Sequence, residues 1–113
     1  MNKTLPVLRS LCCAPGSPTL DTESARALAS TFKALADPTR VAILNQLACC
    51  EECCVCDLTA TFDLTQPTIS HHLKVLREVG LVESEDRGTW AYYRLVPDAI
   101  ERLRDVFSLP ATV

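Results

Sequence analysis

Residues 65–82 read TQPTISHHLKVLREVGLV, and the fold turns on this stretch. Thr65 suits a helix cap, because its hydroxyl can accept from amides of the first turn. Pro67 is tolerated in that turn, where an amide has no intrahelical partner. Ile69, Leu73 and Leu76 stand at i, i+4 and i+7, so they share one inward face. Gly80 ends the helix as a left-handed cap. With that stripe removed, Gln66, Thr68, Ser70, His71, Lys74 and Arg77 remain on the other side. Gln, Ser and Thr can bond base edges or phosphates, and Lys and Arg neutralise phosphates. The same composition also fits a merely solvated polar face.

Downstream the period changes from helical to two. VESEDRGTWAYYRL, residues 82–95, reads as two short strands joined by a turn at Asp86-Arg87-Gly88. Ala91, Tyr93 and Leu95 share one face of the second strand, and Trp90, Tyr92 and Arg94 the other. Pro97 opens a last helix with Ile100, Leu103 and Phe107 on one stripe. Upstream, Asp21 or Thr22 caps a first helix carrying Ala25, Leu28, Phe32 and Leu35 at helical spacing. Asp37-Pro38 breaks and restarts the chain, with Asp37 as cap and Pro38 at the first helical position. Val41, Leu44 and Leu47 give this second helix its buried stripe, which Cys49 continues as a small apolar residue. A third helix, CDLTATFD over 56–63, precedes a turn at Asp63-Leu64.

The order is helix, helix, helix, helix, hairpin, helix. That is a mainly α fold with a β-hairpin wing, a winged helix-turn-helix. Its second helix, over 66–77, enters the major groove with its N-terminal residues near base edges. Residues 1–20, with Pro6, Pro15, Gly16 and Pro18, read as a flexible arm. Residues 21–113 then form one DNA-binding and dimerisation domain.

A chain of 113 residues fits one small domain with a modest core. Leu28, Phe32 and Leu35, with Ile100, Leu103 and Phe107, exceed what such a monomer can cover. A homodimer through the first and last helices is expected, on an inverted repeat with half-sites about one helical turn apart. The net charge of −3 argues against a diffuse nucleic-acid coat but leaves room for a local reading surface. No run of about 18 apolar residues exists, so no membrane span is expected. Only TLPVL separates Lys3 from Arg9, too short for a secretory core of roughly 7–15 residues. The chain is therefore read as cytoplasmic.

Compartment bears on the seven cysteines, five of which crowd CCEECCVCD at 49–57. In a reducing cytosol, clustered cysteines bind metal or sense redox state more often than they form structural disulfides. Clustered thiolates suit Cu(I), Zn(II), As(III), Sb(III), Cd(II) and Pb(II). A zinc ribbon needs a second C-x-x-C about 15–20 residues away, which is absent. A thioredoxin-like site needs a βαβ context, also absent. A thiol enzyme needs one low-pKa cysteine beside a cation or anion-binding loop. Glu51, Glu52 and Asp57 raise thiol pKa instead, so no enzyme and no organic cofactor are expected.

ALADPTRVAILNQL (34–47), TQPTISHHLKVLREVGLV and GTWAYYRL (88–95) together resemble the ArsR/SmtB family of bacterial metal-responsive repressors. The resemblance spans about residues 22–107. It implies a homodimer whose operator binding is weakened by an inducing metal. It places Ser70 and His71 at the base-reading surface, His72 in support of the helix or on phosphate, and Arg87 at the hairpin tip in the minor groove. Glu83, Glu85 and Asp86 oppose only Arg87 there, so the wing is expected to add little affinity.

Glu52-Cys53-Cys54-Val55-Cys56-Asp57-Leu58 is similar to the family motif ELCVCDL, which implies Cys54 and Cys56 as ligands. Residues i and i+2 point to opposite sides of a regular helix, so both reach one ion only if the helix start is unwound. Cys53 and Cys56, at i and i+3, share a face without distortion, which keeps Cys53 among the candidates. The family also implies that Cys12 and Cys13 on the arm join a cysteine near the third helix of the other subunit. Three thiolates suit As(III), or Sb(III) in the same class; a fourth suits Cd(II) or Pb(II). The family's other site needs Asp and His ligands on the last helix, and PDAIERLRDVF (97–107) has no histidine. A redox switch on the same fold is the remaining alternative.

Overall fold

A computed structural model describes residues 20–108. The elements are α1 (Thr22–Leu35), α2 (Pro38–Cys50), β1 (Cys53–Cys54), α3 (Val55–Phe62), α4 (Gln66–Glu78), β2 (Val82–Arg87), β3 (Trp90–Leu95) and α5 (Pro97–Val106). Each helix start has a local cause. The Asp21 carboxylate accepts from the Ser24 amide at 2.7 Å. The Asp37 carboxylate accepts from the amides of Thr39 and Arg40 at 3.0 and 3.1 Å, and the Arg40 amide holds it below the usual carboxylate range. Thr65 Oγ1 accepts from the Thr68 amide at 3.4 Å. Pro38 and Pro97 sit in first turns, where their missing amides cost nothing.

The end of α4 is a Schellman turn. Gly80 takes φ +80°, the Leu81 amide donates to the Leu76 carbonyl at 3.1 Å, and the Gly80 amide to that of Arg77 at 2.9 Å. Leu76 and Leu81 are both fully buried, which supplies the apolar contact that accompanies this cap. The chain therefore leaves α4 directly into the hairpin.

The core lies where α2, α3, α4 and the sheet meet. Ile43, Leu47, Leu58, Ile69, Leu73, Leu76, Leu81 and Val82 are its fully buried side chains. Tyr93 and Leu95 pack against it from β3, as alternation requires. On α2 the buried pair is Ile43 and Leu47, with Leu44 partly buried. Val41 is 50% exposed and Cys49 is exposed, so the expected stripe over 41, 44, 47 and 49 is corrected. The helix turns its i, i+4 ridge inward rather than its i, i+3 ridge, and Val41 and Cys49 fall outside it.

Two differences concern the sheet. It has three strands in the order β1-β3-β2, all antiparallel. Cys53 pairs with Tyr93 and Cys54 with Tyr92, where the sequence suggested only a hairpin. A two-residue strand shows no period, and its partner lies about 40 positions away in sequence, so local pattern could not reveal it. The hairpin turn is Gly88-Thr89, with Arg87 paired to Trp90, one position beyond the expected turn. A two-residue hairpin needs positive φ, and Gly88 provides it at +68°.

Only Ala34 is buried on α1 and only Ala99 on α5. Phe32 and Phe107 touch, with ring centroids 5.8 Å apart, yet are 40% and 66% exposed. Among the described residues, no helix is long and apolar enough to cross a membrane.

Leu73→Ala is expected to destabilise the chain by about 2–5 kcal/mol, through lost burial and a residual cavity. Val41→Ala should change stability by less than about 1 kcal/mol. Urea unfolding with unchanged m-values checks both; comparable losses at the two positions would contradict the inward ridge described for α2.

Candidate nucleic-acid interface and thiol site

The polar side of α4 is uncovered. Gln66, Thr68, Ser70, His71, Lys74 and Arg77 are all exposed, and the helix has no acidic residue before Glu78. Thr68 is partly committed to the cap, its hydroxyl 2.9 Å from that of Thr65. Arg77 donates to Ser84 Oγ on β2 at 3.3 Å, joining the end of α4 to the wing. Gln66, Ser70, His71 and Lys74 thus form a free edge along the first turns. His72 differs from its neighbour: it is half-buried, with Nδ1 3.2 Å from an Arg40 guanidinium nitrogen. Arg40 can only donate, so Nδ1 accepts and the ring proton sits on Nε2. Burial pushes this imidazole below its usual value, which favours the neutral form.

Arg87 is the last residue of β2, beside the Gly88-Thr89 turn at the hairpin tip, but it is not free. Its guanidinium donates to both carboxylate oxygens of Glu52 at 2.9 Å and to Glu85 at 3.0 Å. It also lies over the Tyr92 ring, 4.4 Å from the centroid. Arg94 donates to Glu83 at 2.9 Å and Glu85 at 3.2 Å and approaches Glu52 at 3.8 Å. Hydrogen bonds from Arg87 and then Arg94 lower the Glu85 carboxyl, and Glu52 and then Glu85 hold Arg87 more firmly protonated. The wing acids are thus not opposed by Arg87 alone; two guanidinium groups share Glu52, Glu83 and Glu85.

The thiol segment is irregular at the point where the motif requires it. Cys54 is extended (φ −85°, ψ 164°) and precedes the first helical residue, so β1 ends and α3 begins between Cys54 and Cys56. Their Cα atoms are 5.4 Å apart and their sulfurs are in bonding contact. Among the described residues, one trio of metal-ligand atoms lies within 4.8 Å of one another: Cys54, Cys56 and Asp57. With that sulfur contact reduced, two thiols and a carboxylate suit a thiophilic ion.

Cys53 takes the opposite face of β1. It is buried in the core cluster, and burial pushes its thiol up to about 11, with Cys50 adding to the shift. The strand therefore removes the shared helical face expected for Cys53 and Cys56. Cys50 is exposed and accepts from Gln46 Nε2 at 3.2 Å. Cys12 and Cys13 lie outside the described residues.

Three participants escaped the sequence reading. Arg94 could have been found by placing the turn at Gly88-Thr89, which sets it opposite Glu83. Arg40 meets His72 and Glu52 meets Arg87 across 32 and 35 positions, with no local signal.

A helix with an uncovered basic and polar edge, seated on two others and followed by a hairpin, defines a winged-helix DNA-binding regulator. The family described as bacterial regulatory protein, arsR family, matches residues 37–84. The arsenical resistance operon repressor of Bacillus subtilis is 44% identical over 72 residues, covering 64% of this chain and 69% of its own length. A homodimeric winged helix-turn-helix domain from Mycobacterium bovis superposes with TM-score 0.65 and 32% identity, over 80% of this chain and 84% of that one. The AntR antimony-specific transcriptional repressor gives TM-score 0.67 and 25% identity, over 82% and 84%. The chain belongs to the arsR family of bacterial regulatory proteins and is a transcriptional regulator, not an enzyme.

Under denaturant-free conditions at about pH 8, iodoacetamide should label Cys49 and Cys50 roughly tenfold or more faster than Cys53, because only thiolates alkylate. Peptide mass spectrometry over time reads this order. Equal labelling would contradict the burial of Cys53.

Proposed function

We propose that this regulator is a metalloid-responsive repressor that binds operator DNA as a homodimer in the cytoplasm. As(III) or Sb(III), gathered by cysteine thiolates, releases it. The observation that carries the reading is the meeting of Cys54 and Cys56 at the irregular start of α3. That helix is seated behind α4 through Leu58 and Ile69 of the common core. Its likeness to an arsenical resistance operon repressor and to an antimony-specific repressor favours the same inducers. A change of shape at the thiols can therefore tilt the reading helix relative to that of a partner subunit. By linkage, DNA weakens inducer binding by the factor with which inducer weakens DNA binding, typically worth about 1–3 kcal/mol.

Gln66, Thr68, Ser70, His71, Lys74 and Arg77 form the reading surface in this proposal. His72 supports it through Arg40, and Arg87 adds a contact from the wing. Cys12 and Cys13 complete the ligand set with Cys54 and Cys56. Cys53 is the weakest of the candidate ligands, because its buried thiol resists ionisation. Exposed Phe32, Val106 and Phe107 at the ends of α1 and α5 supply the apolar surface that a second copy would cover. Cd(II) or Pb(II) fits the same thiols if a fourth joins. The bonding contact of the Cys54 and Cys56 sulfurs also favours one second reading, a thiol redox switch. Release of labelled operator titrated with As(III), Sb(III), Cd(II), Pb(II), Zn(II) and, separately, peroxide distinguishes these.

Ser70→Ala and His71→Ala should each reduce operator discrimination by roughly 1–3 kcal/mol, if each reads a base. Competition between operator and mismatched duplexes measures this, and parental discrimination in both variants would remove α4 as the reader. Cys12→Ser with Cys13→Ser should leave operator affinity intact while blocking release by arsenite. Cys54→Ser or Cys56→Ser should impair release as well. Parental release from the arm variant would confine the sensor to residues 50–56.

A further inference from the structure

Glu52 holds an unusual position for a surface carboxylate. It follows Glu51, a non-glycine residue at φ +68° and ψ −49°, in a γ-turn closed by the Glu52 amide donating to the Cys50 carbonyl at 2.7 Å. That turn is sterically costly and persists only where its flanks hold it. One flank is the end of α2; the other is β1, whose Cys54 pairs with Tyr92. The turn delivers the Glu52 carboxylate onto both terminal nitrogens of Arg87, which also donates to Glu85 at 3.0 Å and lies over the Tyr92 ring. One short segment thus joins Cys54, a ligand in the proposed function, to the Arg87 guanidinium on the wing.

The side chains of Arg87 and Glu52 are 42% and 36% exposed, so the pair is open to solvent and to a competing anion. A bidentate carboxylate takes the same guanidinium edge that a DNA phosphate would take. We propose that Glu52 is a competitive stand-in for a DNA phosphate, coupling the thiol segment to the wing through Arg87. This rests on the metalloid-repressor reading. In the arrangement described, Glu52 covers Arg87, and inducer held at Cys54 and Cys56 would favour that arrangement. On the operator, Arg87 moves to phosphate and Glu52 is displaced. Inducer and phosphate then exclude one another at one side chain, without contact between them. Glu52 is a positioning residue in this scheme, not a ligand.

The test uses the full-length protein and a duplex it selects from a random-sequence pool. Operator affinity is measured for the parent, Glu52→Gln, Arg87→Ala and the double variant, with Glu51→Gln as a control that removes the same charge one residue away. Glu52→Gln should bind about two- to fivefold tighter than the parent, the scale of one exposed ion pair. The gain should vanish when Arg87 is Ala, and Glu51→Gln should give a smaller gain indifferent to Arg87. Arsenite should raise the dissociation constant of Glu52→Gln by a smaller factor than the parent's, at equal bound arsenic per subunit. Unchanged or weaker binding by Glu52→Gln would overturn the proposal, as would a gain that survives Arg87→Ala. Equal arsenite response in parent and Glu52→Gln would overturn the coupling. If arsenite releases neither protein, the metalloid reading fails, while the arsenite-free affinities still decide whether Glu52 occludes Arg87.

Discussion

The backbone pairing of Cys53 and Cys54 with Tyr93 and Tyr92 ties the cysteine segment to the wing, and much of the architecture follows from it. Strand alternation sends the Cys53 thiol into the core and leaves Cys54 on the other face. Ending the strand at Cys54 starts α3 at Val55, which brings Leu58 into the core beside Ile69 of α4. The same break in regularity brings together two cysteines that a continuous helix would hold apart. A strand of two residues has little stability of its own. It exists because β3 is already held by β2 and because the core accepts Cys53.

Charge explains how an acidic chain can belong to a family of DNA-binding regulators. The net −3 is spread unevenly. The exposed edge of α4 carries His71, Lys74 and Arg77 with no acid before Glu78. Glu83 and Glu85 of the wing are bound to Arg87 and Arg94, so their repulsion toward phosphate is partly cancelled within the protein, while Asp86 has no such partner among the described residues. Local distribution, not the total, sets the field that a nucleic acid meets at a few ångströms.

Burial is uneven as well. The helices and sheet around Leu73 are packed to full exclusion of solvent, whereas α1 and α5 each bury one alanine. A small chain has too little interior to cover six elements and two more helices. The contact of Phe32 with Phe107 joins those helices to each other yet leaves both rings largely in solvent. The apolar surface supporting the proposed dimer is therefore a consequence of chain size.

The elements set by neighbouring residues were legible in the sequence. Asp21, Asp37 and Thr65 cap the helices they were expected to cap, Gly80 closes α4, and Ile69, Leu73 and Leu76 are buried. Capping, helical period and turn chemistry act over three or four residues, so the sequence alone determines them. The polar edge of α4 and the cysteine cluster were visible for the same reason. Contacts made across long separations were decided only by the tertiary structure. Which ridge of α2 turns inward depends on what packs there, so Val41 and Cys49 proved exposed. The strand at Cys53–Cys54 exists only against β3, the meeting of the Cys54 and Cys56 sulfurs only because that strand ends between them, and the capture of Arg87 by Glu52 only because the γ-turn and the hairpin converge. Each of these depends on where distant backbone lies, and no period or spacing in the amino-acid sequence encodes that.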